Sequence, residues 1–268
     1  MIYKAVFSDI DGTVINSKHQ LLPSTVAAVQ QIVSRGIIFV LVSARMPGAI
    51  IPLADKLGQN IPLISYNGAL ILLSDKKKFY SKYLKADVVK KIIKEIVQYS
   101  NTVAMNYYTD DKWYVQNIND PYVRREIEIT GVEPCQCGFE KLVIDKILPH
   151  KLLCMAAPKE CQQLERHLSG RYKELTVIRS GDTLLEIIDS TVSKAEAIKY
   201  FAGQFNIRKE EIIAFGDNYN DIDMLEYAGM GIAMGNAPDE IKRAAKMVTD
   251  SNDSDGIYNA LRKLKIIS

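Results

Sequence analysis

Six apolar residues in a row, Ile37-Ile38-Phe39-Val40-Leu41-Val42, constrain this chain more than any other stretch. They do not alternate with polar residues. A strand with one solvated face would alternate, so this one is expected to be covered on both faces, as strands of parallel sheets are. The run is also far too short to span a bilayer.

Its flanks agree. Tyr3 to Phe7 is β-prone and stops at the polar turn Ser8-Asp9-Ile10-Asp11-Gly12-Thr13. A helical pattern follows over 24–34, with Val26, Val29, Ile32 and Val33 on one face and Gly36 closing it. A second helix is expected from Pro47 to Leu57, and a third strand from Ile61 to Ser65, ending at Tyr66-Asn67-Gly68. Strand, helix, strand, helix, strand is the rhythm of a parallel α/β sheet.

The rhythm then breaks. A hairpin is expected over 70–84, with Lys76, Lys77 and Lys78 at its tip. An amphipathic helix follows from Ala86 to Tyr99, with Val89, Ile92, Ile93, Ile96 and Val97 on its apolar face. An antiparallel pair around Thr109-Asp110-Asp111 comes next, then a strand at 151–156, a helix at 158–168 and two more strands. Tyr107, Tyr108, Trp113 and Tyr114 are expected to pack across the hairpin. The α/β rhythm returns with a helix over 193–205 and a strand from Glu211 to Phe215. The expected fold is a Rossmann-like, doubly wound parallel sheet (1–82 and 185–268) with an inserted α+β domain (83–184).

Charge excludes some partners. The chain has 268 residues, 34 basic and 32 acidic, for a net charge of +2. That is too near neutral for a nucleic-acid coat or a membrane-surface protein. The four cysteines form neither a zinc pattern nor an ordinary disulfide framework, so they are expected to be free thiols. The expectation is a cytoplasmic protein that binds a small molecule, as a monomer or small homo-oligomer.

Ligands of open α/β sheets bind at the carboxyl ends of the strands. The first strand delivers Asp9 and Asp11 there, and the second delivers Ser43, Ala44 and Arg45. The strand from Glu211 delivers Gly216-Asp217-Asn218-Tyr219-Asn220-Asp221, and Lys194 opens the helix after the insertion. So many carboxylates cannot stay ionised together without a cation. Asp9 and Asp217 offer the oxygen ligands that Mg2+ takes. The cation and Lys194 would keep Asp9 charged and nucleophilic. Gly12 lets the backbone turn so that amides after Asp9 face a ligand, and Ser43 can donate to phosphate oxygens. This combination suits phosphoryl transfer, which needs mainly positioning and charge stabilisation.

Asp9-Ile10-Asp11-Gly12-Thr13 after an apolar strand resembles the first motif of the haloacid dehalogenase superfamily. Ser43 resembles its second, Lys194 its third, and Gly216-Asp217 with Asn220-Asp221 its fourth. Order and spacing are similar to the Cof-type sugar-phosphate phosphatases, whose large α+β cap is inserted after the position of Asn67-Gly68. The resemblance implies an Mg2+-dependent phosphatase for small phosphate monoesters. Asp9 would form a phosphoaspartate, and Asp11 would protonate the leaving alcohol and then activate water. Asp9, Asp217, Asp221 and the Asp11 carbonyl would serve the metal. Ser43, Ala44, Lys194 and Asn220 would hold the phosphate, with Arg45 and Asn67 as support or substrate contacts. Ala44 and Ala195 stand where the family often has glycine. Two other readings stay open: a phosphotransferase or mutase with the same nucleophile, and a non-catalytic phosphate-binding module.

Overall fold

The computed structural model describes residues 3–268. The chain opens with β1 (Ala5–Asp9), α1 (Pro23–Ser34), β2 (Ile38–Val42), α2 (Pro47–Leu57) and β3 (Leu63–Ser65). A tight turn, Tyr66–Gly68, leads to β4 (Leu70–Leu72) and β5 (Lys78–Ser81). The inserted stretch holds α3 (Ala86–Tyr99), β6 (Ala104–Thr109), β7 (Lys112–Val115), α4 (Pro121–Thr130), β8 (Cys135–Gln136), α5 (Phe139–Ile144), β9 (Lys151–Met155), α6 (Pro158–Leu168), β10 (Leu175–Gly181) and β11 (Leu184–Asp189). The chain returns with α7 (Lys194–Gln204), β12 (Ile212–Gly216), α8 (Ile222–Tyr227), β13 (Met230–Ala233), α9 (Asp239–Ala244), β14 (Met247–Val248) and α10 (Gly256–Lys263).

Two compact units result. One combines the stretch up to Arg45, Ile50–Tyr80 and Ser193–Ser268; the other is Ser81–Val192 with Met46–Ala49.

In the first unit the described residues form an eight-stranded sheet in the order β14-β13-β12-β1-β2-β3-β4-β5. From β14 to β3 every neighbouring pair is parallel; β4 runs antiparallel to β3. The apolar run becomes β2, and both of its alternations are buried: Phe39, Val40, Leu41 and Val42 are at most 1% exposed. Phe7, Val40 and Ile64 pack on one face against Ile198 and Phe201 of α7 and Leu225 of α8. The Phe201 ring meets Phe7 edge-on at 5.7 Å. Fully burying an aliphatic or aromatic side chain of this size contributes about 1.5–3 kcal/mol, so this layer holds β1 and β12 firmly in register.

Helix α1 starts at a proline, whose missing N–H is no loss in a first turn, and stops at Gly36, whose φ of +80° continues past the last helical residue. It buries Thr25, Ala28, Val29 and Ile32. The face is rotated from the expected one: Val26 and Val33 are only half-buried. Thr25 and Ala28 join Val29 and Ile32 on the buried face instead.

The second unit has a six-stranded sheet in the order β10-β11-β9-β6-β7-β8. Helices α3, α5 and α6 cover one face. Val89, Ile92 and Ile96, then Phe139 and Leu142, then Leu164 and Leu168 pack on Tyr107, Leu152, Cys154, Leu185 and Ile187. Val97, expected on the buried face of α3, is 52% exposed, and Val88 is buried in its place. At 3.6 residues per turn, position 97 falls outside the arc set by 89, 92 and 96. The aromatic hairpin packs as expected: Tyr108 lies opposite Trp113 and stacks on it at 5.7 Å. All four cysteines are free. Among the described residues no helix is long and apolar enough to cross a membrane.

Candidate active site

The first unit's strand order reverses beside β1. Strands β2 and β3 are laid down on one side of it, and β12, β13 and β14 on the other. Such a reversal opens a crevice at the carboxyl ends of the strands. Asp9 is the last residue of β1, and Asp217 directly follows β12, which pairs with β1 in parallel register.

Asp9 is 7% exposed, Asp221 is fully buried, and Lys194 is 1% exposed. The Lys194 ammonium donates to Asp9 Oδ1 at 2.5 Å and to Asp221 Oδ1 at 2.5 Å. The other Asp221 oxygen accepts the backbone N–H groups of Asp217 (2.9 Å) and Asn218 (3.0 Å). Asp221 therefore ties the loop after β12 to the lysine. Lys194 owes its place to Ser193, whose hydroxyl oxygen caps α7 by accepting the Glu196 N–H at 3.2 Å. The α7 backbone is further held by Asp223, which accepts the Ala195 N–H at 3.1 Å.

The turn after β1 is wound tightly. The N–H groups of Thr13, Val14 and Ile15 all converge on the Ile10 carbonyl. Thr13 Oγ1 donates to Asp217 Oδ1 at 2.6 Å. Gly12, at φ +80°, lies so close to the Asp217 carboxylate that a Cβ there would collide with it. Gly12→Ala is therefore expected to displace Asp217 and to cost about 1–3 kcal/mol of stability through backbone strain alone. Urea denaturation measures the loss; an unchanged midpoint would show that the left-handed backbone at Gly12 carries no such strain.

Oxygens of Asp9, Asp217 and Asp221 lie within 4.8 Å of one another. One lysine faces these three carboxylates. Burial pushes the Asp9 carboxyl well above the usual carboxylate range, against the pull of Lys194, and Asp221 adds to the rise. Burial also pushes Asp217 up to about 6, with the Thr13 hydrogen bond opposing it. Burial pulls the Lys194 ammonium down, but Asp221 and Asp9 more than offset this and hold it above its ordinary value. The cluster is short of positive charge, and its donors are all hard oxygens. That is the donor set a Mg2+ ion takes, so the residues present fit the ion that the sequence implies.

The remaining expected residues form a second, connected group. Arg45 grips Asp11 with a two-point contact, Nε to Oδ2 at 2.8 Å and Nη2 to Oδ1 at 2.5 Å. Ser43, 2% exposed, lies beneath them; its hydroxyl oxygen accepts the Arg45 N–H at 3.2 Å, which leaves its proton free to point elsewhere. Ala44 is half-buried between them. The Ser43 carbonyl accepts the Asn67 N–H at 3.0 Å, and Asn67 Oδ1 accepts from Asn220 Nδ2 at 3.2 Å. The expected site residues thus fall into two bonded groups at the strand ends of the first unit, Asp9, Lys194, Asp221 and Asp217 in one and Asp11, Arg45, Ser43, Asn67 and Asn220 in the other, with Ala44 between Ser43 and Arg45 in the chain.

Sequence reasoning missed the residues that hold the turn after β1 in place. Asn236 donates to the Gly12 carbonyl at 2.9 Å and accepts the Asn252 N–H at 3.0 Å; Asn252 in turn donates to the Ile15 carbonyl at 2.9 Å. No local pattern marks these asparagines, because the carbonyls they hold in the β1 turn lie more than two hundred residues away.

This geometry has close relatives. A family model described as haloacid dehalogenase-like hydrolase matches residues 6–261, and the chain belongs to that family. A provisionally named phosphatase of Haemophilus influenzae is 35% identical over 257 residues, covering 96% of each chain. A solved haloacid dehalogenase-like hydrolase from Bacteroides thetaiotaomicron is similar with a TM-score of 0.88 and 30% identity, over 98% of this chain and 99% of that one. A solved sugar phosphatase of haloacid dehalogenase subclass IIB has a TM-score of 0.81 and 25% identity, over 98% of this chain and 100% of that one.

Proposed function

We propose that this hydrolase is a phosphatase acting on small phosphate monoesters, with sugar phosphates as the substrate class, through a phosphoaspartate on Asp9. The observation that carries this reading is the Asp9 carboxylate, buried at the strand reversal, bonded to Lys194 and flanked by Asp217. The sugar phosphatase among its structural relatives supports the substrate class. The inserted stretch, expected from the sequence at 83–184 and bounded in the fold by Ser81 and Val192, takes the part of the family's cap. The working protein is a cytoplasmic monomer or small homo-oligomer with no nucleic-acid partner.

In this reading an Asp9 oxygen attacks phosphorus. The ester P–O bond breaks, and the departing alkoxide takes a proton from Asp11, which enters this step as the carboxylic acid with one oxygen turned from Arg45 to the leaving group. Water then attacks the phosphorus of phospho-Asp9, Asp11 accepts its proton, and the bond to Asp9 breaks, releasing inorganic phosphate. Lys194 holds the charged Asp9 oxygen in place and offsets the arriving negative charge. Ser43, the Ala44 N–H and Asn220 orient the phosphoryl oxygens, and Arg45 holds Asp11. Asp9, Asp217, the Asp11 carbonyl and Asp221 would hold Mg2+, which when bound would supply Lewis-acid stabilisation of charge on the transferring group.

A panel of aryl and metabolite phosphates, assayed with Mg2+ and after EDTA, tests this. Hydrolysis that EDTA removes and Mg2+ restores is the expected result; silence across the panel would leave a phosphate-binding module. Product analysis with an added alcohol separates hydrolysis from phosphotransfer.

The raised Asp217 group makes a second prediction. Its folded value of about 6 lies above its ordinary 3.8, so the folded chain holds more protons than the unfolded one in that window. Its contribution to stability is present below the window and is lost as pH rises through about 6. Mg2+ favours the ionised form, so the rise in Tm caused by Mg2+ should be small at pH 5 and larger at pH 7.5. Equal shifts at both pH values would contradict Asp217 as a ligand.

A further inference from the structure

The three residues that close β3 all lie in the left-handed region. Tyr66 has φ 54°, Asn67 has φ 55° and Gly68 has φ 115°. Glycine adopts this conformation readily; a buried tyrosine does so only when its surroundings force it. The surroundings here are the site itself. Tyr66 N–H donates to the Arg45 carbonyl at 3.3 Å, and Asn67 N–H to the Ser43 carbonyl at 3.0 Å. On the far side, a Cβ on Gly68 would collide with the Ser193 carbonyl, the residue before Lys194. The turn is wedged between the end of β2 and the start of α7.

The wedge presents one side chain. Asn67 is 8% exposed, and its Oδ1 accepts from Asn220 Nδ2 at 3.2 Å. Asn220 itself is exposed. An exposed asparagine samples several rotamers, and a buried acceptor that bonds one of its N–H groups selects among them. The other N–H and the oxygen of Asn220 stay available to a ligand.

We propose that Asn67 is a positioning residue for Asn220: the strained turn fixes the buried Asn67 amide, and that amide aims the exposed Asn220 amide at the phosphoryl group. The inference rests on the phosphatase reading, in which Asn220 contacts phosphate. Asparagine is suited to both tasks, because it tolerates the left-handed backbone better than other L-residues and carries an acceptor.

Asn67→Gly separates the two tasks, since glycine keeps the backbone at ease and removes only the amide. Wild type, N67G, N220A and the double variant would be compared in two measurements: aryl phosphate kinetics with Mg2+, and titration of inorganic phosphate by calorimetry. N67G is expected to raise KM and the phosphate Kd by roughly three- to tenfold, the range for a contacting pair, with little change in Tm. N220A should do the same, and the double variant should be no weaker than N220A alone. The proposal is overturned if N67G binds phosphate as wild type does, or if the two effects multiply in the double variant. Absence of turnover in wild type overturns the phosphatase reading, and the phosphate titration then still decides Asn67. A wild type that binds no phosphate overturns both.

Discussion

Asp9→Asn is expected to lower turnover of an aryl phosphate by ~10^3-fold or more, the scale on which loss of a nucleophile acts, while the chain stays folded. The amide has the shape of the carboxylate and keeps an oxygen for the Lys194 hydrogen bond. What it lacks is the nucleophilic charge. The fold has no reason to suffer, because Asp9 is one of three carboxylates around a single buried lysine. Burial already disfavours its charge. The variant should therefore melt at or above the wild-type temperature without added metal. An active variant would remove Asp9 from the mechanism; an inactive one that has also unfolded would not support it, so the melting curve belongs beside the assay.

The second large effect concerns stability. Lys194→Met is expected to destabilise the protein by about 3–5 kcal/mol, the cost of removing one partner from a buried ion pair. Methionine fills a similar volume, so the loss is electrostatic. It leaves Asp9 and the fully buried Asp221 facing each other without their shared cation. Each kcal/mol corresponds to roughly 2–4 °C in a domain of this size, so a fall in Tm of about 6–20 °C is the readout. Adding Asp221→Asn to Lys194→Met removes one of the stranded charges and should recover much of the loss. A Lys194→Met protein as stable as wild type would mean that the lysine is not what balances the two carboxylates.

Much of this was readable in the amino-acid order, for identifiable reasons. The unbroken apolar run became β2 because burial on both faces removes the need for alternation. Asp9, Asp217, Asp221 and Lys194 were recognisable because each follows or precedes a periodic element at a strand end. Helices α4 and α5 were not legible. Helix α4 buries only Val123, so it has almost no apolar stripe to betray it; its signals are local, a side-chain cap by Asp120, Pro121 in the first turn and a left-handed Gly131 at the end. Helix α5 has six residues, too few for a period to show. The same limit applies at the site. The grip of Arg45 on Asp11 and the bracing of the β1 turn by Asn236 and Asn252 depend on tertiary distance, which spacing along the chain does not encode.

The sheet topology also has a consequence for how the protein comes into being. Strand β1 pairs on one side with β2, in the register Ala5 with Ile38, and on the other with β12, in the register Ala5 with Ile212. During synthesis β1 and β2 emerge together, while β12 follows only after the whole insertion. Until then the centre of the sheet has an open edge of apolar residues, the kind of surface on which nascent chains aggregate. Closing that edge requires contacts across two hundred residues, which makes it a slow event in folding. The same pairing brings Asp217 and Asp221 beside Asp9, so the contacts that cover the open edge also assemble the acidic cluster.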